Sequence, residues 1–306
     1  MNRSLINPIV KKDMLISSRN AKLTVAITLI NSLFAIIVAV LFLSNSTSQY
    51  QTYYTEVLRL FPILAICESA VISLVMPIIT ATSVSGERER QTLEIMLTTP
   101  VRPVSIVAGK LLSAMLTTLI YVVASLPFLA IAFVFGGLSW ATLIKYVGVI
   151  IFLDIYIGSF GIFYSCIKKT SVSAAIATIA TIAVIAIVTL AANRGLQSAA
   201  ETYMDNVASQ QQASGYMGGM VTCTLFNPVV WIADMFMEMI YNERVFDVGT
   251  GYGAYYEFVV THFRILSVCI NMFISAILLF IASKKVMTGG RKKKVIHRRD
   301  GIQNGV

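Results

Sequence analysis

The sequence predicts an all-α, polytopic membrane protein. It has six transmembrane helices, an interfacial helix before the first, and a short cytoplasmic helix between the second and third. Three observations carry this. The 306 residues are 57% hydrophobic and only 13% charged, where soluble domains carry about 25% charged residues. The mean hydropathy is +0.77. The apolar residues fall into runs of about 20, the length that crosses a bilayer. Lys and Arg collect in alternate connections between those runs, as the positive-inside rule requires.

Residues 1–22 alternate apolar and cationic positions. Leu5, Ile6, Ile9, Val10, Met14 and Ile16 fall mostly on one helical face, and Arg3, Lys11, Lys12, Arg19 and Lys22 mostly off it. This suits a helix lying in the interface with its cations toward anionic headgroups. A charged flank that only sets orientation is the alternative. The run that follows, Leu23 to Leu43, is too long for the apolar region of a signal peptide. Spans are expected at 23–44, 60–84, 104–134, 144–166, 172–192 and 264–283. Pro127 is expected to kink or break the third, and Pro62 and Pro77 bracket the second. Such prolines are tolerated where neighbouring groups re-satisfy the backbone.

Of the 24 Lys and Arg residues, 19 fall at 1–22, 85–110, 167–171 and 284–306, and 5 on the other side. Both termini and the 85–110 connection are therefore expected in the cytoplasm, with the chain in the cell membrane. The tail at 284–306 holds a cationic cluster suited to anionic lipid rather than to nucleic acid. A large outer loop is expected at 193–263. Within it, 205–220 is polar and Gly-rich and reads as mobile. Residues 225–241 take an amphipathic helical rhythm after Pro228, as a helix packed on the outer mouth or half-entering the bilayer.

Enzymatic readings find no support in the residue types. The spans contain no His, and the four cysteines, Cys67, Cys166, Cys223 and Cys269, form no C-x-x-C pair. No metal site, disulfide framework or cofactor site is expected in this chain. No G-x-x-x-x-G-K-[ST] is present, so no P-loop cradles ATP phosphates here. Glu68 in the second span and Asp154 in the fourth are the deepest charges. An acid at a helix centre costs about 2.5–3.5 kcal/mol on insertion scales. Two readings stand for each: a substrate or ion contact, or an acid hydrogen-bonded between helices. In the fifth span Ser173, Ala177 and Thr181 repeat at four-residue spacing, a small-residue ridge for close helix packing.

The densest charge in the first two-thirds of the chain lies at 85–110, SGERERQTLEIMLTTPVRPVSIVAGK. Ser85 or Gly86 is expected to cap a helix over 87–99, with Glu87 and Glu89 at its N-terminal dipole. Arg90 and Glu94 pair at i,i+4. Leu93, Met96 and Leu97 make its apolar stripe, and Pro100 and Pro103 end it. A charged helix at a membrane surface offers its rim to a groove on a partner. A plain connecting loop is the alternative.

This stretch resembles the signature of permease subunits of type-2 ATP-binding-cassette (ABC) exporters, whose loop between spans two and three typically reads Glu-Arg/Lys, two residues, Gly-Thr-Leu/Met-Glu, a Leu-rich turn, Pro and Gly-Lys. Glu87, Arg88, Thr92, Leu93, Glu94, Leu97, Pro100, Gly109 and Lys110 match. Gln91 departs, because the family often has Gly there, and Gln is expected to favour a helix. The six-span layout and Phe226-Asn227-Pro228 are also similar to the family. The resemblance implies a coupling helix at 87–99 seated on a cytoplasmic ABC ATPase. Glu87, Arg88, Glu89, Arg90, Thr92, Leu93, Glu94 and Leu97 would make the docking contacts. ATP and Mg would be bound by that partner, and a second permease chain, identical or related, would complete the path. Without the resemblance, an ion-coupled carrier or channel using Glu68 and Asp154, or a membrane anchor of an envelope complex, remains open.

Overall fold

A computed structural model describes residues 10, 13, 15, 21–45, 60–92, 103–134, 139–204, 210–241, 243–246 and 253–303. The elements are α1 (Ala21–Asn45), α2 (Leu60–Glu89), α3 (Pro103–Val134), α4 (Trp140–Ile167), α5 (Ser171–Met204), α6 (Gln210–Leu225), α7 (Pro228–Tyr241), α8 (Ala254–Thr261) and α9 (Phe263–Gln303). No strand occurs among the described residues. The chain divides into two compact units. One comprises 1–138, 153–179 and 275–306, and the other 139–152 and 180–274.

By length and composition, five helical stretches can cross a bilayer: Phe61–Glu89, Pro103–Ile131, Trp140–Ile167, Ser171–Ala200 and Phe263–Val286. All five overlap spans expected from sequence. The first expected span lies in α1, whose apolar stretch Thr24–Val40 is shorter. α2 and α3 run on through Pro77 and Pro127 without a break. The expected break at Pro127 is therefore absent.

In the first unit, α2 packs chiefly on α3, and α1 lies against both. α2 turns one face inward: Leu64, Glu68, Ile72, Met76, Thr80 and Val84 are all buried, at intervals of four or so residues. Such a ridge is the i,i+4 row that seats in a neighbour's groove. Phe34 of α1 is buried and meets the Phe128 ring edge-on at 6.2 Å. α4 also approaches α2 closely at two of its glycines. A Cβ built on Gly161 would lie 1.8 Å from Thr80 Oγ1, and one on Gly158 would lie 2.6 Å from Met76 Cε. Only a residue without a side chain permits that approach.

The distribution of side chains is inverted relative to a soluble protein. Thr80, Thr118, Asp154, Ser159 and Ser165 are fully buried, while Leu29, Ile144, Val172 and Phe273 are each about two-thirds exposed. In water such an apolar exterior is a liability. In lipid it is the matched surface, and the small hydroxyl residues bring helices together.

The second unit holds a helix pair bent by 97° between Met217–Leu225 and Pro228–Met239. The bend follows from Asn227-Pro228. The Val229 N–H donates to Asn227 Oδ1 at 2.9 Å, so Asn227 caps α7 with Pro228 in its first position. The break frees the Leu225 carbonyl, which accepts hydrogen bonds from Ser267 Oγ and Asn271 Nδ2 of α9, each at 3.0 Å. Asn227 Nδ2 in turn donates to Thr189 Oγ1 of α5. Backbone exposed at membrane depth needs such partners. Trp231 of α7 stacks on Phe152 at 4.3 Å. Two ion-paired carboxylates hold the hairpin at its far end. Arg264 bonds Asp234 and Glu238, and Lys145 bonds Glu238 at 2.9 Å.

The amphipathic helix expected after Pro228 is α7. The Gly-rich stretch expected to be mobile is corrected in part, because 210–220 belong to α6. A Cβ on Gly218 would meet the Tyr255 ring at 3.1 Å, and Thr222 Oγ1 lies 2.8 Å from the Tyr255 hydroxyl. Packing on α8, rather than intrinsic propensity, holds this helix. Most of the 1–22 segment lies outside the described residues. The basic tail continues α9 as far as Gln303.

Candidate functional site

The charged motif lies at the end of α2, and its local structure differs from the expectation. Glu87, Arg88 and Glu89 are the last turn of α2 rather than the first turn of a new helix. Ser85 does not cap a helix start. Its hydroxyl donates back to the Ala81 carbonyl inside α2. Gln91 has φ 58°, the left-handed region. The Thr92 N–H reaches Glu87 O at 2.9 Å, and the Gln91 N–H reaches Arg88 O at 3.1 Å. This pair of bonds is a Schellman motif, with Gln91 at the position where helices most often carry glycine. So Gln91 ends a helix; it does not promote one. Pro103 likewise opens α3 instead of closing a coupling helix. Leu93, Glu94 and Leu97, and with them the Arg90–Glu94 pair, lie outside the described residues.

The three charges before the turn are all bound within the chain. Glu87 Oε1 pairs with Lys110 Nζ of α3 at 3.3 Å, and Lys110 pairs with Asp13 at 3.1 Å. Lys110 is only 6% exposed, so its two carboxylates offset the cost of burying its charge. Thr92 Oγ1 donates to Glu87 Oε2. Arg88 Nη1 donates to Lys168 O at 2.6 Å and Nη2 to Cys166 O at 3.0 Å. These are terminal carbonyls of α4, where a cation complements the helix dipole. Glu89 Oε1 accepts the Ser171 N–H at 2.7 Å, and Oε2 accepts the Ser171 hydroxyl at 3.0 Å. Ser171 is the first residue of α5, where a carboxylate complements the opposite end of a dipole.

Beneath this cluster, Ser165 Oγ accepts the Val84 and Ser85 N–H groups at 3.0 and 2.9 Å and donates to Ala81 O at 2.7 Å. One hydroxyl thus fastens α4 to α2. Beyond the cluster, Arg90, Gln91 and Thr92 are exposed, as are Lys168 and Lys169 in the α4–α5 turn. Sequence reasoning missed Ser165, Ser171 and the two lysines. The Gly109-Lys110 match was a signal for Lys110, though not for its partners.

Glu68 and Asp154 are brought near one helix but not to each other's partner. Ser125 Oγ donates to Glu68 Oε1 at 2.5 Å, and Thr118 Oγ1 donates to Asp154 Oδ2 at 2.6 Å. Ser125 and Thr118 are seven residues apart on α3, two turns along one face. Both acids are buried, and Asp154 Oδ1 has no hydrogen-bond partner. These bonds tie α3 to α2 and to α4. Among the described residues no group of three or more His, Cys, Asp or Glu is placed to hold a metal ion.

No curated protein matches the chain. A protein-family model described as ABC-2 family transporter protein matches residues 7–284. That match runs from ahead of α1 into α9, across every span and the charged turn at the end of α2. The chain belongs to the ABC-2 transporter family and is a multi-pass permease subunit of an ABC transporter.

Proposed function

We propose that this permease serves an exporter, and that a separate cytoplasmic ABC ATPase drives it by docking on the segment that begins at Arg90. The observation that carries the reading is the end of α2. A Schellman turn at Gln91 stops a span and turns the chain aside at the start of the family's signature stretch. With Glu87, Arg88 and Glu89 bound internally, docking falls to Arg90, Thr92, Leu93, Glu94 and Leu97. Leu93 and Leu97 supply the apolar anchor and Glu94 the charge. ATP and Mg belong to the partner, because this chain has no P-loop.

The 19-to-5 distribution of Lys and Arg supports a cytoplasmic location for both termini and for this segment, with the chain in the plasma membrane. Two permease chains, identical or related, would enclose the path. The exposed apolar residues of α5, among them Val172, Ile176 and Val188, are available to a second chain or to lipid. The test is co-purification of the ATPase with tagged permease. Glu94→Lys and Leu97→Asp are expected to release the ATPase and stop transport. Variants that keep both would defeat the docking assignment. Transport by the permease without any ATPase would favour the ion-coupled carrier, with Glu68 and Asp154 as its contacts.

A further inference from the structure

Glu87, Arg88 and Glu89 were expected to face a partner, yet each has its polar atoms engaged by the chain itself. They reach three different elements: α3 through Lys110, the end of α4 through two carbonyls, and the start of α5 through Ser171. Lys110 extends the network to Asp13, ahead of α1. The Schellman turn adds Thr92, whose N–H and hydroxyl both return to Glu87. Thr92, itself within the docking segment, is therefore bonded into the same cluster.

We propose that Glu87, Arg88 and Glu89 are a transmission node: positioning residues that convert displacement of the docking segment into joint movement of α2, α3 and the α4–α5 turn. The inference rests on the docking reading above. The geometry suits the role. Arg88 and Glu89 grip the two sides of one tight turn, the C-terminal carbonyls of α4 and the N-terminal N–H of α5. Each bond joins a full charge to a helix end of opposite partial charge. A pull on α2 along its axis loads both helix ends together. A flexible connector without these bonds would dissipate the same displacement within the loop.

The experiment uses the permease co-expressed with its ATPase and reconstituted in lipid nanodiscs. Hydrogen exchange across residues 160–190 is compared with and without vanadate trapping. Arg88→Gln and Glu89→Gln are expected to retain the ATPase at wild-type stoichiometry and to cut the vanadate-dependent change at least fivefold. Arg88→Lys, which keeps the charge and one bond, is expected to fall between. Ser165→Ala loosens the α2–α4 contact without touching the node. It is expected to lower the unfolding temperature while keeping the vanadate response. The inference is overturned if Arg88→Gln and Glu89→Gln keep the full response, if they shed the ATPase, or if Ser165→Ala loses the response equally. A wild-type complex that shows no response overturns it too. A wild-type permease that carries no ATPase at all defeats the docking reading first, which is a separate result.

Discussion

Gln91 offers the sharpest test of the turn that ends α2. Its φ of 58° places a side chain where the β-carbon crowds the following carbonyl. A non-glycine residue there costs about 1–2 kcal/mol. Glycine removes that strain but is freer in the unfolded chain, which returns about 0.4–1 kcal/mol. Gln91→Gly should therefore stabilise the turn by about 0.7 kcal/mol net. Gln91→Val should do the reverse. A β-branched residue is a genuine outlier at positive φ and belongs at the upper end of the roughly 1–3 kcal/mol strain range.

The turn can open without global unfolding, so the assay must be local. Hydrogen exchange at the Gln91 and Thr92 amides reads the two bonds to Arg88 and Glu87 directly. At 1.4 kcal/mol per factor of ten, Gln91→Gly should slow exchange about threefold and Gln91→Val speed it about tenfold. Gln91→Asn should fall between Gly and the wild type, since Asn tolerates the left-handed region. If Gln91→Gly instead speeds exchange, or Gln91→Val leaves it unchanged, the residue is not in that conformation and the helix does not end there.

The remaining predictions concern packing and charge. Gly161→Ala would place a Cβ 1.8 Å from Thr80 Oγ1 and should cost about 1–3 kcal/mol of stability, while Gly148→Ala, with open space around it, should be near neutral in the same denaturation assay. Asp154→Asn keeps an acceptor for Thr118 and should unfold within about 1 kcal/mol of wild type, whereas Asp154→Ala should cost more, because it drops the bond between α3 and α4 and leaves a cavity at a fully buried position. If Asp154→Asn also transports normally, the acid packs helices and does not touch cargo. Arg264→Gln removes the cation shared by Asp234 and Glu238 and should raise protease sensitivity at the α6–α7 hairpin, with Lys145 alone left to hold Glu238. Unchanged proteolysis would show that the hairpin is held by its Asn227 and Leu225 hydrogen bonds instead.

Much of the fold was legible because spans announce themselves by composition. A run of 20 apolar residues says little about which face is buried, yet it places the helix to within a few residues. What composition could not mark was where α2 ends. Ser85, Gly86 and the charges after them look like an N-terminal cap followed by acidic first-turn residues. The same letters serve equally as a C-terminal turn when Arg88 finds carbonyls to bind and Glu89 finds an N–H on another helix. That choice is made by α4 and α5, some 80 residues away in sequence. α6 was missed for a similar reason. Gly218 and Gly219 weaken its propensity, and only the Tyr255 ring packed close to Gly218 shows why a small residue suits that position.

The position of Gln91 also changes what the charged stretch is for. A free surface helix starting at Glu87 would offer all of its charges to a partner and could swivel about its connections. A span that ends in a bonded turn cannot swivel, because its last residues are fixed to Lys110, to the α4 carbonyls and to Ser171. The motif therefore divides at residue 90. The part before it belongs to the membrane unit, and under the docking proposed above the part after it would meet the ATPase. Substitutions on the two sides should fail differently. Those before the divide should uncouple a complex that still assembles. Those after it should prevent assembly.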